Sequence, residues 1–212
     1  MTRYKTIAFV LSAMMLLPAA LAAPSAQQDY LDAARLVPNA AHGAQVFGSC
    51  AVCHGAQGGG SADGRVPRIA GQHQKVIIRQ LVDYRYEKRW DPVMEHMADQ
   101  FLLPDAQAIS DVAGFLATLE VTVQAGIGPA TYLSAGRQTY LARCSSCHGS
   151  AGQGNEKALV PRLAGQHYAY LLRQLHDAID GRRPQLASSH GAMLKDLDRD
   201  ALQGMADLLS RF

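Results

Sequence analysis

Cys50-Ala51-Val52-Cys53-His54 returns as Cys144-Ser145-Ser146-Cys147-His148, and the two copies use all four cysteines of the chain. C-x-x-C-H is the attachment pattern of c-type haem, in which two thiols add across the vinyl groups of one porphyrin and the adjoining histidine is held where it can ligate the iron. A zinc ribbon would place its second pair roughly 15–20 residues after the first, and a thioredoxin-like pair needs a βαβ context. Here most of a domain separates Cys53 from Cys144, and no strand-rich segment surrounds either motif. The pattern predicts two covalent haems c, one on Cys50 and Cys53 and one on Cys144 and Cys147, beside His54 and His148. Such a chain moves electrons.

The same spacing organises the rest of the chain. Val66-Pro67-Arg68-Ile69-Ala70-Gly71-Gln72-His73 recurs as Val160-Pro161-Arg162-Leu163-Ala164-Gly165-Gln166-His167, and Gln80-Leu81 recurs as Gln174-Leu175, all at the 94-residue offset of the cysteines. Gly43 and Phe47 recur one step out of register as Gly136 and Tyr140. A repeat of this kind is a duplicated module. It divides the chain into an N-terminal extension (23–39), a first domain (40–120), a linker (121–130) and a second domain (131–212).

Each module reads as helical. A first helix ends at the haem motif (about 41–50 and 134–144), a Gly-rich loop follows, and a middle helix runs over about 73–86 and 167–179. The last helix carries Ile109, Val112, Ala113, Leu116 and Leu119, matched by Leu202, Met205, Ala206 and Leu209, at helical spacing. No segment alternates as a half-buried strand does, so the predicted class is all-α. Gly43 and Phe47, like Gly136 and Tyr140, put a gap and an aromatic on one helical face. That predicts a close crossing against the last helix, with Phe115 facing Phe47.

Residues 1–22 read as a secretory signal peptide. Arg3 and Lys5 lead an apolar run from Ile7 to Leu17, and Ala20-Leu21-Ala22 offers the cleavage site. A membrane anchor needs about 20 apolar residues, more than this run supplies. Without Arg3 and Lys5, 18 basic residues face 18 acidic ones, and the basic residues form no stripe. Nucleic acid is therefore not an expected partner. Export to the periplasm suits the cysteines, because c-type haem is attached outside the cytoplasm.

Together, C-x-x-C-H-G, P-R-(I/L)-A-G-Q-H and the Q-L helix, each present twice in order, resemble the di-haem class I cytochromes c of the cytochrome c4 type. The resemblance spans about Ala40 to Leu209. It implies two tandem class I cytochrome c domains, each wrapped around one covalent haem, in a periplasmic carrier between a donor complex and a terminal oxidase or reductase. His54 and His148 become the proximal iron ligands, and Pro67 and Pro161 the residues whose carbonyls accept from them.

The resemblance leaves the distal ligands open. The family normally uses methionine, and Arg89-Trp90-Asp91-Pro92-Val93-Met94 looks like its R-x-D-P-V-M, which favours Met94 over His96 and Met97. In the second half the candidates are His190 and Met193, with His190 favoured by its distance from the last helix. His96 and His190 keep the 94-residue register, whereas Met94 and Met97 correspond to Ser188 and Gly191. Both haems are therefore open to bis-histidine ligation. His73, His167, His42 and His176 read as near-surface residues.

Partners implied are redox proteins that dock transiently, through which the protein can associate with a membrane. An electron carrier needs no catalytic residue. The alternatives are a di-haem redox enzyme, peroxidase-like or oxidising sulfur compounds, and the cytochrome subunit of a membrane-bound complex. The absence of a fifth cysteine disfavours a cysteine-ligated sulfur-oxidising site.

Overall fold

Helical periodicity and short polar caps organise both halves. The computed structural model describes residues 25–121, 124–184, 186 and 188–212, so the leader read at 1–22 lies outside them. The first half holds α1 (Ala26–Arg35), α2 (Ala40–His54), α3 (Gln74–Arg85), α4 (Pro92–Met97) and α5 (Ala106–Thr118). The second holds α6 (Leu133–Arg143), α7 (Ser145–His148), α8 (Tyr168–Ile179), α9 (Ser188–Lys195) and α10 (Arg199–Ser210). Among the described residues there is no strand, only an isolated bridge between Asn155 and Val160. The all-α expectation is met.

Side-chain caps start the helices where the chain must turn. Asn39 accepts from the backbone N–H groups of Ala41 and His42 at the head of α2, and Asp105 and Asp198 cap α5 and α10 in the same way. In each half the haem-bearing helix crosses the last one, α2 on α5 and α6 on α10. The crossings are close because glycine allows them. A Cβ on Gly43 would lie 2.2 Å from the Asp111 carbonyl oxygen, and one on Gly136 would lie 1.9 Å from a backbone carbon of Gly204. Phe47 meets Phe115 at a ring separation of 5.5 Å, as the sequence predicted.

Residues 23–39 hold more than a tail. α1 buries Tyr30 and Ala33 in the core of the first half, with Arg79 stacked 3.8 Å over the Tyr30 ring. The Tyr86 hydroxyl donates to Asp29 at 3.0 Å, tying α1 to the end of α3.

The halves join through the repeated P-R-(I/L)-A-G-Q-H segments, which bond each other reciprocally. The Arg68 N–H donates to the Gln166 side chain (3.0 Å), and that side chain donates back to the Arg68 carbonyl (2.8 Å). Arg162 and Gln72 repeat the exchange at 2.9 Å in both directions. The histidines that follow reach further across. His73 Nε2 bonds the Gln153 carbonyl (2.9 Å) and His167 Nε2 the Gly59 carbonyl (2.7 Å), pairs again 94 residues apart. Deeper in, Arg89 donates to Gln174 (2.9 Å) and Arg183 to Gln80 (3.2 Å). The interface thus has the pseudo-twofold symmetry of the duplication. Burial and the neighbouring Arg89 lower the Arg183 pKa to about 10.

One of the surface assignments changes. His167 is 0% exposed, because the opposite half and the linker cover it. His42 keeps an open ring face, but its Nδ1 lies 2.6 Å from the buried Asp111 carboxylate.

Candidate functional site

Cys50 and Cys53 lie three residues apart in the last turn of α2, so both thiols project from one side of the helix end. In the second half the helix breaks at Cys144 and resumes as α7, which carries Cys147 and His148. None of the four cysteines is joined to another in a disulfide. Burial raises the pKa of Cys50 and of Cys144.

Each histidine is oriented by a proline carbonyl. His54 Nδ1 lies 2.9 Å from the Pro67 oxygen, and His148 Nδ1 lies 3.2 Å from that of Pro161. A carbonyl only accepts, so Nδ1 carries the proton and the lone pair sits on Nε2, where a metal can take it. Burial lowers both histidine pKa values, although the proline carbonyls oppose it; at His148 the neighbouring His190 lowers it further. A neutral imidazole is the form that ligates.

The carbonyls are placed by two glycines that no motif singled out. Gly60 and Gly154 adopt φ of 72° and 73°, and a Cβ on either would fall within 2.6 Å of the Pro67 or Pro161 carbonyl group. Their N–H groups bond the His54 and His148 carbonyls at 2.9 and 2.8 Å, closing the loop behind each histidine. Their recurrence at the 94-residue offset was the available signal.

A thiol pair one turn apart beside a neutral, carbonyl-oriented imidazole fits covalent haem c. Bound there, haem supplies a reversible one-electron iron couple. The chain's own residues hold it, fix the ligand tautomer and set its surroundings.

On the distal side the halves differ. Asp91 accepts from the N–H groups of Val93 (3.1 Å) and Met94 (3.2 Å), with Pro92 at the first position of α4, so D-P-V-M is a capped helix start. The Asp91 charge acts on His54, which puts this helix start near that imidazole. Met94 and Met97 are partly buried, and His96 is exposed. In the second half, α9 brings His190 opposite His148, with ring centroids 6.4 Å apart and planes at 81°. Among the described residues, His96 makes no such ring contact with His54. Met193, one turn beyond His190, is 37% exposed, and His176 lies on the exposed side of α8.

The cytochrome c family model matches residues 40–120 and 133–203, one match per half. Cytochrome c4 of Thiocapsa roseopersicina is 36% identical over 139 residues, covering 62% of this chain and 70% of its own. The thiosulfate dehydrogenase electron acceptor of Stutzerimonas stutzeri is 30% identical over 166 residues, covering 75% and 76%. The crystal structure of reduced recombinant cytochrome c4 from Pseudomonas stutzeri superposes with a TM-score of 0.70 at 23% identity, over 82% of this chain and 98% of that one, which speaks to the fold. Two haem motifs, two proline-oriented histidines and two family matches in tandem make one statement: this chain belongs to the cytochrome c family, as a cytochrome c4-like electron carrier with two covalent haems c.

Proposed function

We propose that this protein is a periplasmic shuttle that accepts single electrons from a donor enzyme, passes them between its two haems, and delivers them to a terminal oxidase or reductase. In this reading Cys50 and Cys53, and Cys144 and Cys147, carry the thioethers. His54 and His148 are the proximal ligands, Pro67 and Pro161 orient them, and Met94 is the distal ligand of the first half. The observation that carries the reading is the reciprocal interface, which holds the two haem-bearing modules in one fixed relation through paired, 94-residue-related hydrogen bonds. Fixed separation suits transfer within a molecule, and a carrier needs no acid–base group beside it.

The name of the Stutzerimonas relative points to a thiosulfate-oxidising enzyme as one donor class. No helix among the described residues is long and apolar enough to cross a membrane. The test is rapid mixing of the oxidised holoprotein with a thiosulfate dehydrogenase and thiosulfate, followed by an oxidase. Both haems are expected to reduce and then reoxidise within turnover time. Reaction with peroxide or thiosulfate by the isolated protein, at rates exceeding exchange with partners, would replace the carrier with an enzyme.

A further inference from the structure

The two halves repeat each other at the proximal histidines, the orienting prolines and the interface, yet not at the distal side. We propose that the iron of the second half takes His148 and His190 as its two axial ligands, while that of the first half takes His54 and a methionine. The assignment rests on the two-haem carrier reading and deepens it, by making the two stations chemically unequal.

Three observations converge on His190. The first is spacing. Two metal–imidazole bonds of ~2 Å, plus roughly 1 Å from each ligating nitrogen to its ring centre, put the centroids of a bis-histidine pair about 6 Å apart. The His148 and His190 centroids are 6.4 Å apart. Rings sharing one axis are free to twist about it, so their 81° interplanar angle fits as well. The second is direction. Pro161 occupies His148 Nδ1, so the free Nε2 is the nitrogen left to face a metal.

The third is how α9 is seated. Leu194 is buried in the core of the second half. Residues four apart share a helical face, so His190 stands on the same side of α9 as Leu194, at its exposed N-terminal end, where it meets His148. Met193 is exposed, as His190 is, but lies about 100° around the helix from Leu194, off the side that meets His148. The first half is built otherwise. Its α4 is capped at Asp91 so that Met94 follows one turn later, and His96, exposed like His190, makes no ring contact with His54 among the described residues.

Methionine ligation raises the potential of a haem relative to histidine, and axial-ligand identity is a principal lever on it. One electron therefore passes downhill from ferrous iron in the second half, which is oxidised, to ferric iron in the first, which is reduced. The reductant is the donor protein, and no bond of the polypeptide is made or broken. Electrons enter through the second half and rest on the first.

Near-infrared magnetic circular dichroism and EPR of the ferric holoprotein test the assignment, with covalent haem content measured alongside. The wild type is expected to show methionine-to-iron charge transfer from one haem of the two. His190→Ala is expected to retain both haems while one turns high-spin and binds carbon monoxide, and Met193→Leu to change nothing. His190→Met, which also serves should the alanine variant fail to mature, is expected to raise the charge-transfer intensity about twofold. Charge transfer from both haems in the wild type, unchanged intensity in His190→Met, or two low-spin haems in His190→Ala would overturn it. Failure to exchange electrons with partners, with these spectra as expected, would remove the carrier reading and leave the ligands as assigned.

Discussion

The Pro67 carbonyl can hold His54 only because Gly60 leaves room for it, and Gly154 does the same for Pro161 and His148. Gly154→Ala combines a disfavoured positive φ with a clash against the proline. It is expected to destabilise the holoprotein by about 2 kcal/mol and to perturb the spectrum of the second haem alone, as thermal unfolding and absorption spectra would show. The sequence displayed the histidines and prolines but not the reason for these glycines. Positive φ and contact with a carbonyl 13 residues from the histidine belong to the folded loop.

His167 carries a pH dependence of its own. Its Nε2 donates to the Gly59 carbonyl, so Nδ1 must be the acceptor of the Gly126 N–H at 3.0 Å, and the ring is neutral. Burial lowers its pKa, reinforced by Arg68 and opposed by the Gly59 bond. A base with a depressed folded pKa gives stability that is fully present above its unfolded value, about 6.5, and declines as pH falls toward the folded value. Unfolding midpoints of the holoprotein at pH 7.5 and 5 are expected to differ by less in His167→Gln than in the wild type. An equal difference would assign the acid sensitivity to other groups. Reading His167 as a surface residue failed because Gly59 of the opposite half and Gly126 of the linker, both distant in sequence, close over its ring.

Helix crossings obey the same logic one level up. Gly136 on α6 meets Gly204 on α10 backbone to backbone, and Gly136→Ala must force the helices apart, an expected loss of about 2–3 kcal/mol in denaturant unfolding. Gly48, also helical but with open space where its Cβ would be, supplies the contrast. Gly48→Ala is expected to stabilise by about 0.5–1 kcal/mol, the difference in helix propensity. If both substitutions cost alike, close crossing is not what fixes Gly136.

The long amphipathic helices α3, α5, α8 and α10 were legible because their apolar residues repeat over several turns. The short α4 and α9 were not, since six or eight residues hold too few turns for a period to show. α1 was missed although it spans ten residues, because its buried face is only Ala26, Tyr30 and Ala33.

Across the whole molecule, the interface joins the two modules through reciprocal hydrogen bonds. Two glutamines, Gln72 and Gln166, make four of its hydrogen bonds, each giving and taking one across the boundary. The double variant Gln72→Ala/Gln166→Ala is expected to leave each haem's spectrum intact while slowing electron transfer between them after flash reduction. An unchanged internal rate would show that these bonds do not set the relation of the halves. The repeat announced that two modules exist, yet not how they meet, because a contact between repeats leaves no periodicity in either. The same limit applied to the distal ligands. Register made His96 and His190 equivalent, and both are exposed, so only the ring contact of His190 with His148 separates them.

The claim that joins these levels is that a symmetric duplication holds two unequal electron stations. Spectroelectrochemical titration of the holoprotein, following the haem bands and the methionine-to-iron charge-transfer band together, addresses it most directly. Two separate one-electron steps are predicted, with the charge-transfer band disappearing on reduction in the higher-potential step alone. A single potential shared by both haems, or charge-transfer intensity divided between the two steps, would contradict it.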